Sequence, residues 1–165
     1  MDYLWSPWRY QYITKSAPLS GCVFCLAPAA NNDEDMLIVH RGTYNYVILN
    51  RFPYTSGHLM VVPYAHLSML TALPVETLTE LAMLTQTAQR CLEAVYRPAG
   101  LNLGMNQGEC AGAGVAAHLH MHLVPRWVGD ANFMTITGET RVLPEDLAVT
   151  YRRVSAAFRE TSQSR

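Results

Sequence analysis

Residues 116–127 read AAHLHMHLVPRW and place three of the six histidines, His118, His120 and His122, at a strict spacing of two. On a β-strand, residues i, i+2 and i+4 point to one face, so the three imidazoles would line that face over about 13 Å. On a helix the same residues would fan across more than half of the circumference. The stretch therefore predicts a strand whose aliphatic side chains face the core: Leu119, Met121 and Leu123.

The segments around this stretch predict the rest of the fold. β-branched and aromatic residues predict strands at 36–40 and 44–50, alternation or a short apolar run predicts strands at 57–63 and 100–107, and GTY at 42–44 is a turn. Residues 73–97 change to a helical period, with Pro74 suited to a first turn, and a closing helix is predicted from Pro144 to about Glu160. Strand hairpins with one intervening long helix describe an α+β domain on an antiparallel sheet.

Length and composition indicate one compact domain spanning residues 1–165. Half of the residues are hydrophobic and 15% are charged, which is an ordinary globular composition. The net charge of -1 predicts no stable nucleic-acid partner and no attraction to an anionic membrane. Residues 1–35 are expected to form an irregular arm whose aromatic side chains pack on the domain or on a partner subunit. Without a signal-peptide pattern or an apolar run of spanning length, a cytoplasmic location is expected.

Three polar rings on one face of an apolar strand are costly to bury without partners. Besides a structural role, they suit a metal site or nucleophilic and acid–base chemistry, because the imidazole pKa lies near neutrality. The preceding loop, NQGECAGAG at 106–114, offers backbone N–H groups with little side-chain obstruction, as phosphate cradles do. Together, histidines and loop favour phosphoryl transfer. His40 and His58, at the ends of strands, are predicted to be structural.

Two of the four cysteines form the motif CVFC, Cys22 and Cys25, in a setting that looks like a loop. A Cys-x-x-Cys pair can bind a metal, act as a redox pair or have no special role. The thioredoxin-type redox motif opens a helix in a βαβ unit, and no such unit is evident in the sequence.

HLHMHLV at 118–124 fits the pattern His-φ-His-φ-His-φ-φ, where φ is hydrophobic, and resembles the signature of the histidine triad (HIT) superfamily of nucleotide hydrolases and transferases. YVILNRFPYTSGHLMVVPYAH at 46–66 and LNLGMNQGECAG at 101–112 are similar to two further segments of that family. LWSPWRYQYI at 4–13 and PRWVGDANFM at 125–134 resemble a branch that includes bacterial diadenosine tetraphosphate phosphorylases.

The resemblance implies a role for several residues. His120 would attack an α-phosphate to form a covalent nucleotidyl-histidine, and His122 would hydrogen-bond the phosphate or bridging oxygen. Asn50 would bind ribose, although a turn residue that caps a strand is the alternative. The remaining nucleotide-binding positions would be Asn106, Gln107, Gly112, Gly114 and Val115. Ala113 and Gly114 stand where family members often carry serine or glutamine, a departure that affects side-chain binding of phosphate.

The resemblance also implies a zinc ion and a partner subunit. Some family members hold structural zinc through ligands that match Cys22, Cys25, His66 and His118, and two thiolates with two imidazoles form a closed tetrahedral site. The family pairs subunits through the long helix and the following strand, here about residues 74–105. The expected protein is a homodimer that cleaves a dinucleoside polyphosphate, by hydrolysis or phosphorolysis. A nucleoside phosphoramidase and a non-catalytic nucleotide-binding protein are the alternatives.

Overall fold

A computed structural model describes residues 21–130 and 145–163, with side chains to residue 161. The strands are β1 Ile38–Arg41, β2 Asn45–Leu49, β3 Leu59–Pro63, β4 Gly100–Gly104 and β5 Met121–Arg126. The helices are α1 Val23–Ala29, α2 Asp33–Met36, α3 Val75–Tyr96 and α4 Leu147–Gln163, and single 3-10 turns lie at Leu70–Ala72 and Glu109–Ala111. None of the helices within these ranges combines the length and apolarity that a membrane span requires.

The five strands form one sheet in the order β1-β2-β3-β5-β4, and every pairing is antiparallel. The predicted α+β class with an antiparallel sheet is therefore confirmed. β2 and β3 are buried along their whole length, whereas β4, at the edge, has four exposed residues out of five. The histidine segment thus enters the sheet between the central strand β3 and the exposed edge strand.

Two hydrophobic clusters cover opposite faces of the sheet. On one face, alternate residues of β2 and β3 pack with α3 and α4 around Leu81, Leu92 and Phe158. On the other face, the intervening residues of the same strands pack under α1, whose Phe24 is 6% exposed. Because β2 and β3 are covered on both faces, they read as continuous apolar runs in the sequence.

The region preceding β1 is more regular than predicted. Within residues 21–35, α1 and α2 replace the expected irregular arm, and Cys22 lies at the N-cap of α1 rather than in a loop. α4 begins at Leu147, where Asp146 accepts hydrogen bonds from the N–H groups of Ala148 and Thr150 and so caps the helix; Pro144, its predicted start, lies outside the described residues. Residues 1–20, with most of the aromatic arm, lie outside the described residues, so the organisation of residues 1–165 as one domain stays a prediction.

The histidine strand also begins later than predicted. β5 starts at Met121, so His122 lies within the strand while His118 and His120 lie in the segment that leads into it. β3 ends at Pro63, which has no N–H to continue the ladder. The lead-in segment bonds instead to the chain beyond β3, where the Leu67 carbonyl accepts the Leu119 N–H at 2.7 Å.

Candidate functional site

The three triad histidines project to one side of their segment, as the spacing of two predicted. The Phe24 ring contacts the rings of His118 and His120 at centroid distances of 5.5 and 4.8 Å, and the His120 and His122 rings lie 4.8 Å apart. Leu119 and Leu123 are 1% and 0% exposed. α1 therefore forms one wall of the histidine row, a contact that the spacing of the histidines does not predict.

His120 is held by the backbone of its own segment. Its Nδ1 lies 2.8 Å from the carbonyl oxygen of His118, and its side chain is almost completely buried. A carbonyl oxygen only accepts, so Nδ1 carries the proton in the neutral ring and Nε2 keeps its lone pair. Burial lowers the pKa of His120, although the bond to the His118 carbonyl opposes that shift. In its neutral form the ring therefore presents Nε2 as a nucleophilic nitrogen.

His122 has a buried partner that was predicted to be only structural. Its Nδ1 lies 2.9 Å from Nε2 of His58, a residue that is 0% exposed. Burial, with His120 nearby, lowers the pKa of His122 to about 4, and burial with both neighbouring histidines lowers the pKa of His58 to about 3. His58 therefore belongs to the histidine site. The apolar run that follows it gave no sign of this contact, which depends on the pairing of β3 with β5.

The loop between β2 and β3 packs against α3 and bonds to β5, and these contacts hold His58, which ends the loop, in place. Gly57 has a φ of +79°, and a Cβ there would lie 2.8 Å from the Tyr96 ring on α3. Thr55 donates its hydroxyl hydrogen to the Pro125 carbonyl of β5 at 2.9 Å. Only glycine combines this conformation with this close approach, so the loop is seated on α3 and β5 at once.

The four predicted zinc ligands converge. Their ligand atoms, from Cys22, Cys25, His66 and His118, all lie within 4.8 Å of one another. The Nδ1 atom of His118 is 3.3 Å from Cys22 Sγ and 3.6 Å from Cys25 Sγ, and that of His66 is 3.3 Å from Cys25 Sγ. Ligand atoms around a tetrahedral zinc with two sulfurs and two nitrogens lie about 3.3 to 3.8 Å apart. The residues therefore fit a zinc ion.

The surroundings of His118 fit the same group. Its Nε2 lies 2.9 Å from the carbonyl oxygen of Pro63, so the second ring nitrogen donates to a backbone acceptor. Metal-bound histidines commonly donate their other ring N–H in this way, which fixes the ring and the tautomer. Pro63 thus ends β3 and also orients a predicted ligand.

The redox alternative for CVFC has one feature in its favour, because the motif does open a helix. That helix leads through α2 into an antiparallel hairpin, not into a βαβ unit. Burial and the neighbouring Cys22 thiol raise the pKa of Cys25, whereas redox-active cysteines have a lowered pKa. A cation between the two sulfurs would offset their repulsion, so the geometry favours metal over redox chemistry.

The predicted nucleotide-binding residues of the loop before the triad are partly engaged with the protein. Gln107 accepts the Leu70 N–H through Oε1 at 2.8 Å, and Asn106 Nδ2 lies 3.5 Å from the Gly112 carbonyl. The Val115 carbonyl accepts the His118 N–H at 3.3 Å, which ties the loop containing Gly112 and Gly114 to the triad. The roles of these residues in binding nucleotide stay predictions.

Asn50 lies at the end of β2 and forms a turn. Its Oδ1 accepts the Phe52 N–H at 2.9 Å, and its Nδ2 lies 3.4 Å from His58 Nδ1. These contacts match the alternative of a turn residue, and they also place Asn50 against the histidine site. Its predicted contact with ribose is untested.

The fold and this histidine site define a class of protein. The family model described as "HIT domain" matches residues 31–128, and the chain belongs to that family. It is 43% identical to a Mycobacterium tuberculosis protein named AP-4-A phosphorylase, over 96% of this chain and 85% of the relative.

Solved structures share this fold. A Zn-bound histidine triad family protein from Mycobacterium smegmatis superposes with a TM-score of 0.72 at 28% identity, covering 88% of this chain and 99% of that one. A hypothetical histidine triad nucleotide-binding protein from Sulfolobus tokodaii has a TM-score of 0.70 at 23% identity, over 87% of this chain and 95% of its own, and supports the fold alone.

Proposed function

We propose that this protein cleaves dinucleoside polyphosphates, with diadenosine tetraphosphate as substrate, through a covalent nucleotidyl-histidine. The observation that carries the proposal is the buried His120, whose Nδ1 is held by the His118 carbonyl so that Nε2 keeps its lone pair in the neutral ring. The relative named AP-4-A phosphorylase supports the choice of substrate, since the similarity covers almost the whole chain. Phosphorolysis is favoured over hydrolysis on the same ground.

The proposed reaction has two steps at one phosphorus. His120 Nε2 attacks the α-phosphorus, an N–P bond forms, and the P–O bond to the rest of the polyphosphate breaks with its electron pair on the departing oxygen. ATP leaves, and AMP stays on His120. Inorganic phosphate or water then displaces the histidine and releases ADP or AMP. Imidazole suits both steps, because it is a nucleophile when neutral and its phosphoramidate is labile.

Zinc in the Cys22, Cys25, His66 and His118 cluster is proposed to be structural. Four protein ligands close a tetrahedral site, so none of the coordination positions is left for substrate. The cluster joins α1 to the segment that carries His120, and the zinc-bound Mycobacterium smegmatis structure supports the identity of the metal.

The cytoplasmic location expected from the sequence stays a prediction. A homodimer formed through α3 and β4 is also proposed. β4 is an exposed edge strand, and unpaired strand edges are normally protected. Leu101 packs on the cluster under α3, so Leu103, two residues on, projects on the same side as that helix and is 48% exposed. α3 adds exposed apolar side chains: Val75, Leu78 and Met83.

The products formed from diadenosine tetraphosphate test the proposed function. ATP plus ADP, formed only with inorganic phosphate, is the expected result, while AMP plus ATP without phosphate marks hydrolysis through the same intermediate. Two ADP molecules would contradict attack at the α-phosphorus. An untouched dinucleotide, with release of amine from adenosine 5'-phosphoramidate, would instead support a phosphoramidase. Absence of both reactions would leave a nucleotide-binding protein.

A further inference from the structure

Helix α1 contains a proline that removes one of its hydrogen bonds. In an α-helix the carbonyl of residue i accepts the N–H of residue i+4, and proline has no N–H. Pro28 lies inside α1, four residues after Phe24, so the ordinary helical donor of the Phe24 carbonyl is missing. The helical bonding continues beyond the proline, because the Ala30 N–H donates to the Leu26 carbonyl at 3.1 Å. A buried carbonyl without a donor is costly, so this one needs a donor from elsewhere.

Tyr46 on β2 supplies that donor. Its hydroxyl donates to the Phe24 carbonyl at 2.6 Å, and Tyr46 is completely buried. Burial raises the pKa of Tyr46, and Cys22 and Cys25 add to the shift, so the oxygen keeps its proton at neutral pH. The bond therefore links a buried strand of the sheet to the first turn of α1.

The peptide group that Tyr46 holds lies between the two sites. Its carbonyl belongs to Phe24 and its N–H to Cys25, which donates to the Cys22 carbonyl at 3.0 Å. The peptide is therefore held at both ends, which fixes the turn that carries the two cysteines of the Cys-His cluster. The Phe24 side chain contacts the His120 ring at a centroid distance of 4.8 Å. One hydroxyl thus supports both the cluster and the proposed nucleophile.

We propose that Tyr46 is a positioning residue, which sets the separation of the Cys22 and Cys25 sulfurs and, through Phe24, the orientation of the His120 ring. The part that concerns His120 rests on the proposed function, whereas the part that concerns the cysteines does not. Without the hydroxyl, the peptide group can rotate until its carbonyl finds another donor, and the residues on both sides move with it. The two sulfurs then lose their set separation, and Phe24 no longer confines the imidazole.

Two substitutions separate the hydrogen bond from the rest of the tyrosine. Tyr46→Phe keeps the ring and removes only the hydroxyl, and it should fold, because Arg41 still donates to the Pro28 carbonyl at 3.0 Å and anchors α1. Pro28→Ala restores a backbone N–H where the helix places the donor for the Phe24 carbonyl. The double variant therefore regains, from within the helix, the bond that Tyr46→Phe lacks.

The first readout is metal binding, which does not depend on turnover. Competition with a chromogenic chelator measures the affinity for Zn²⁺, and the visible absorption of the Co²⁺-loaded protein reports how the thiolates surround the ion. Tyr46→Phe should weaken Zn²⁺ binding by about ten-fold, the lower end of the range typical of groups that orient metal ligands, and should alter the Co²⁺ spectrum. Adding Pro28→Ala should restore both.

Tyr96→Phe is the matched control for metal binding. Tyr96 packs on the opposite face of the sheet, and its hydroxyl donates to Glu145, so its loss should leave the Zn²⁺ affinity and the Co²⁺ spectrum unchanged. Equal Zn²⁺ affinities of the native protein and folded Tyr46→Phe would overturn the inference, as would a double variant that is not rescued. If Tyr46→Phe does not fold, the double variant decides: native-like folding and affinity support the bond, and loss of the fold contradicts it.

The second readout is turnover of diadenosine tetraphosphate by zinc-saturated protein. Tyr46→Phe should lower kcat by about ten-fold with little change in KM, because it disturbs the nucleophile and not the groups that bind nucleotide. Pro28→Ala should recover most of this loss. A raised KM with unchanged kcat, or no recovery in the double variant, would contradict a role at His120. If the native protein does not turn over the dinucleotide, the proposed function fails, and the metal readout alone decides the assignment to Tyr46.

Discussion

His118 takes part in two sites through different groups of one residue. Its imidazole lies in the Cys-His cluster, while its carbonyl oxygen holds His120 Nδ1. A substitution of the side chain leaves the carbonyl in place, so the two contributions can be separated. The proposed metal site and the proposed nucleophile are therefore adjacent in the chain but distinct in their chemistry.

Substitution of the triad histidines should give different losses. His120→Ala removes the nucleophile and should abolish turnover while nucleotide still binds. His122→Ala removes one hydrogen-bond donor and should lower kcat by about a hundred- to a thousand-fold. Steady-state kinetics and calorimetric titration with a non-cleavable dinucleotide measure the two effects, and mass spectrometry after acid-free quenching should find a nucleotidyl adduct on the peptide that contains His120. Substantial activity of His120→Ala would contradict the covalent mechanism.

The buried His58 should make stability depend on pH. Its pKa is about 3 in the folded chain and about 6.5 when unfolded, so below about pH 6.5 the unfolded chain binds the extra proton. The free energy of unfolding should therefore fall as pH decreases towards 3, by at most about 1.4 kcal/mol per pH unit for this residue. Among the described residues, the rings of His122 and Tyr54 contact the His58 ring, His120 lies close enough to lower its pKa, and no carboxylate opposes that shift.

Urea denaturation between pH 7 and pH 5 measures this slope. The folded His58→Asn variant lacks one buried neutral histidine and should show a smaller slope than the native protein. Contributions of the Cys-His cluster cancel in the difference, because the cluster is the same in both proteins. Equal slopes would mean that His58 is not held in its neutral form by the fold.

At the level of the elements, sequence periodicity predicted those strands and helices whose bounds depend on the local pattern of apolar residues. The strands and α3 lie within three residues of their predicted bounds at nearly every end, because alternation and the helical stripe report directly on burial. The predicted start of β5 was wrong by several residues, because the true start depends on where its partner strand β3 ends. α1 and α2 were missed because each is too short to show a clear period.

Two kinds of site residue were predicted: those that lie together in one segment of the sequence, and those that match positions in the resembled family. The triad and the four cluster residues were identified from HLHMHLV, CVFC and PYAH, and they do converge. His58 was not identified, because no local pattern connects residues that are 64 positions apart. That contact follows from the β3–β5 register, in which Met60 lies opposite His122.

The N-terminal helix α1 offers a test of the proposed zinc site. Cys22→Ser should reduce bound zinc and lower Tm more than it lowers specific activity, because a closed site holds structure rather than substrate. A site that contributes about 2 kcal/mol would lower Tm by roughly 4–8 °C in a chain of this length. Cys110→Ser is the control, since Cys110 is an exposed cysteine outside the cluster. Elemental analysis that finds about one zinc per native chain supports the site, and an active native protein without zinc would remove it.

At the scale of the whole molecule, the edge strand β4 and helix α3 both expose apolar side chains. Val75 is 75% exposed and Met83 52%, on helix α3, which packs against β2, β3 and β5. Pairing of β4 with its copy in a second subunit would extend the sheet and satisfy the N–H and C=O groups that this edge leaves unpaired among the described strands. It would also bury these apolar side chains. Apolar residues scattered singly over a surface would need no such cover.

Light scattering of the native protein should therefore give twice the chain mass of 18.4 kDa at micromolar concentration. Leu103→Asp places a charge within β4 and should shift the protein to the monomer mass, because an unpaired carboxylate would be buried between subunits. Val128→Asp is the control: Val128 is 96% exposed and lies after β5, outside this surface, so its substitution should leave the dimer intact. A native monomer with full activity would contradict the proposed assembly. Dissociation by both variants would place the interface elsewhere.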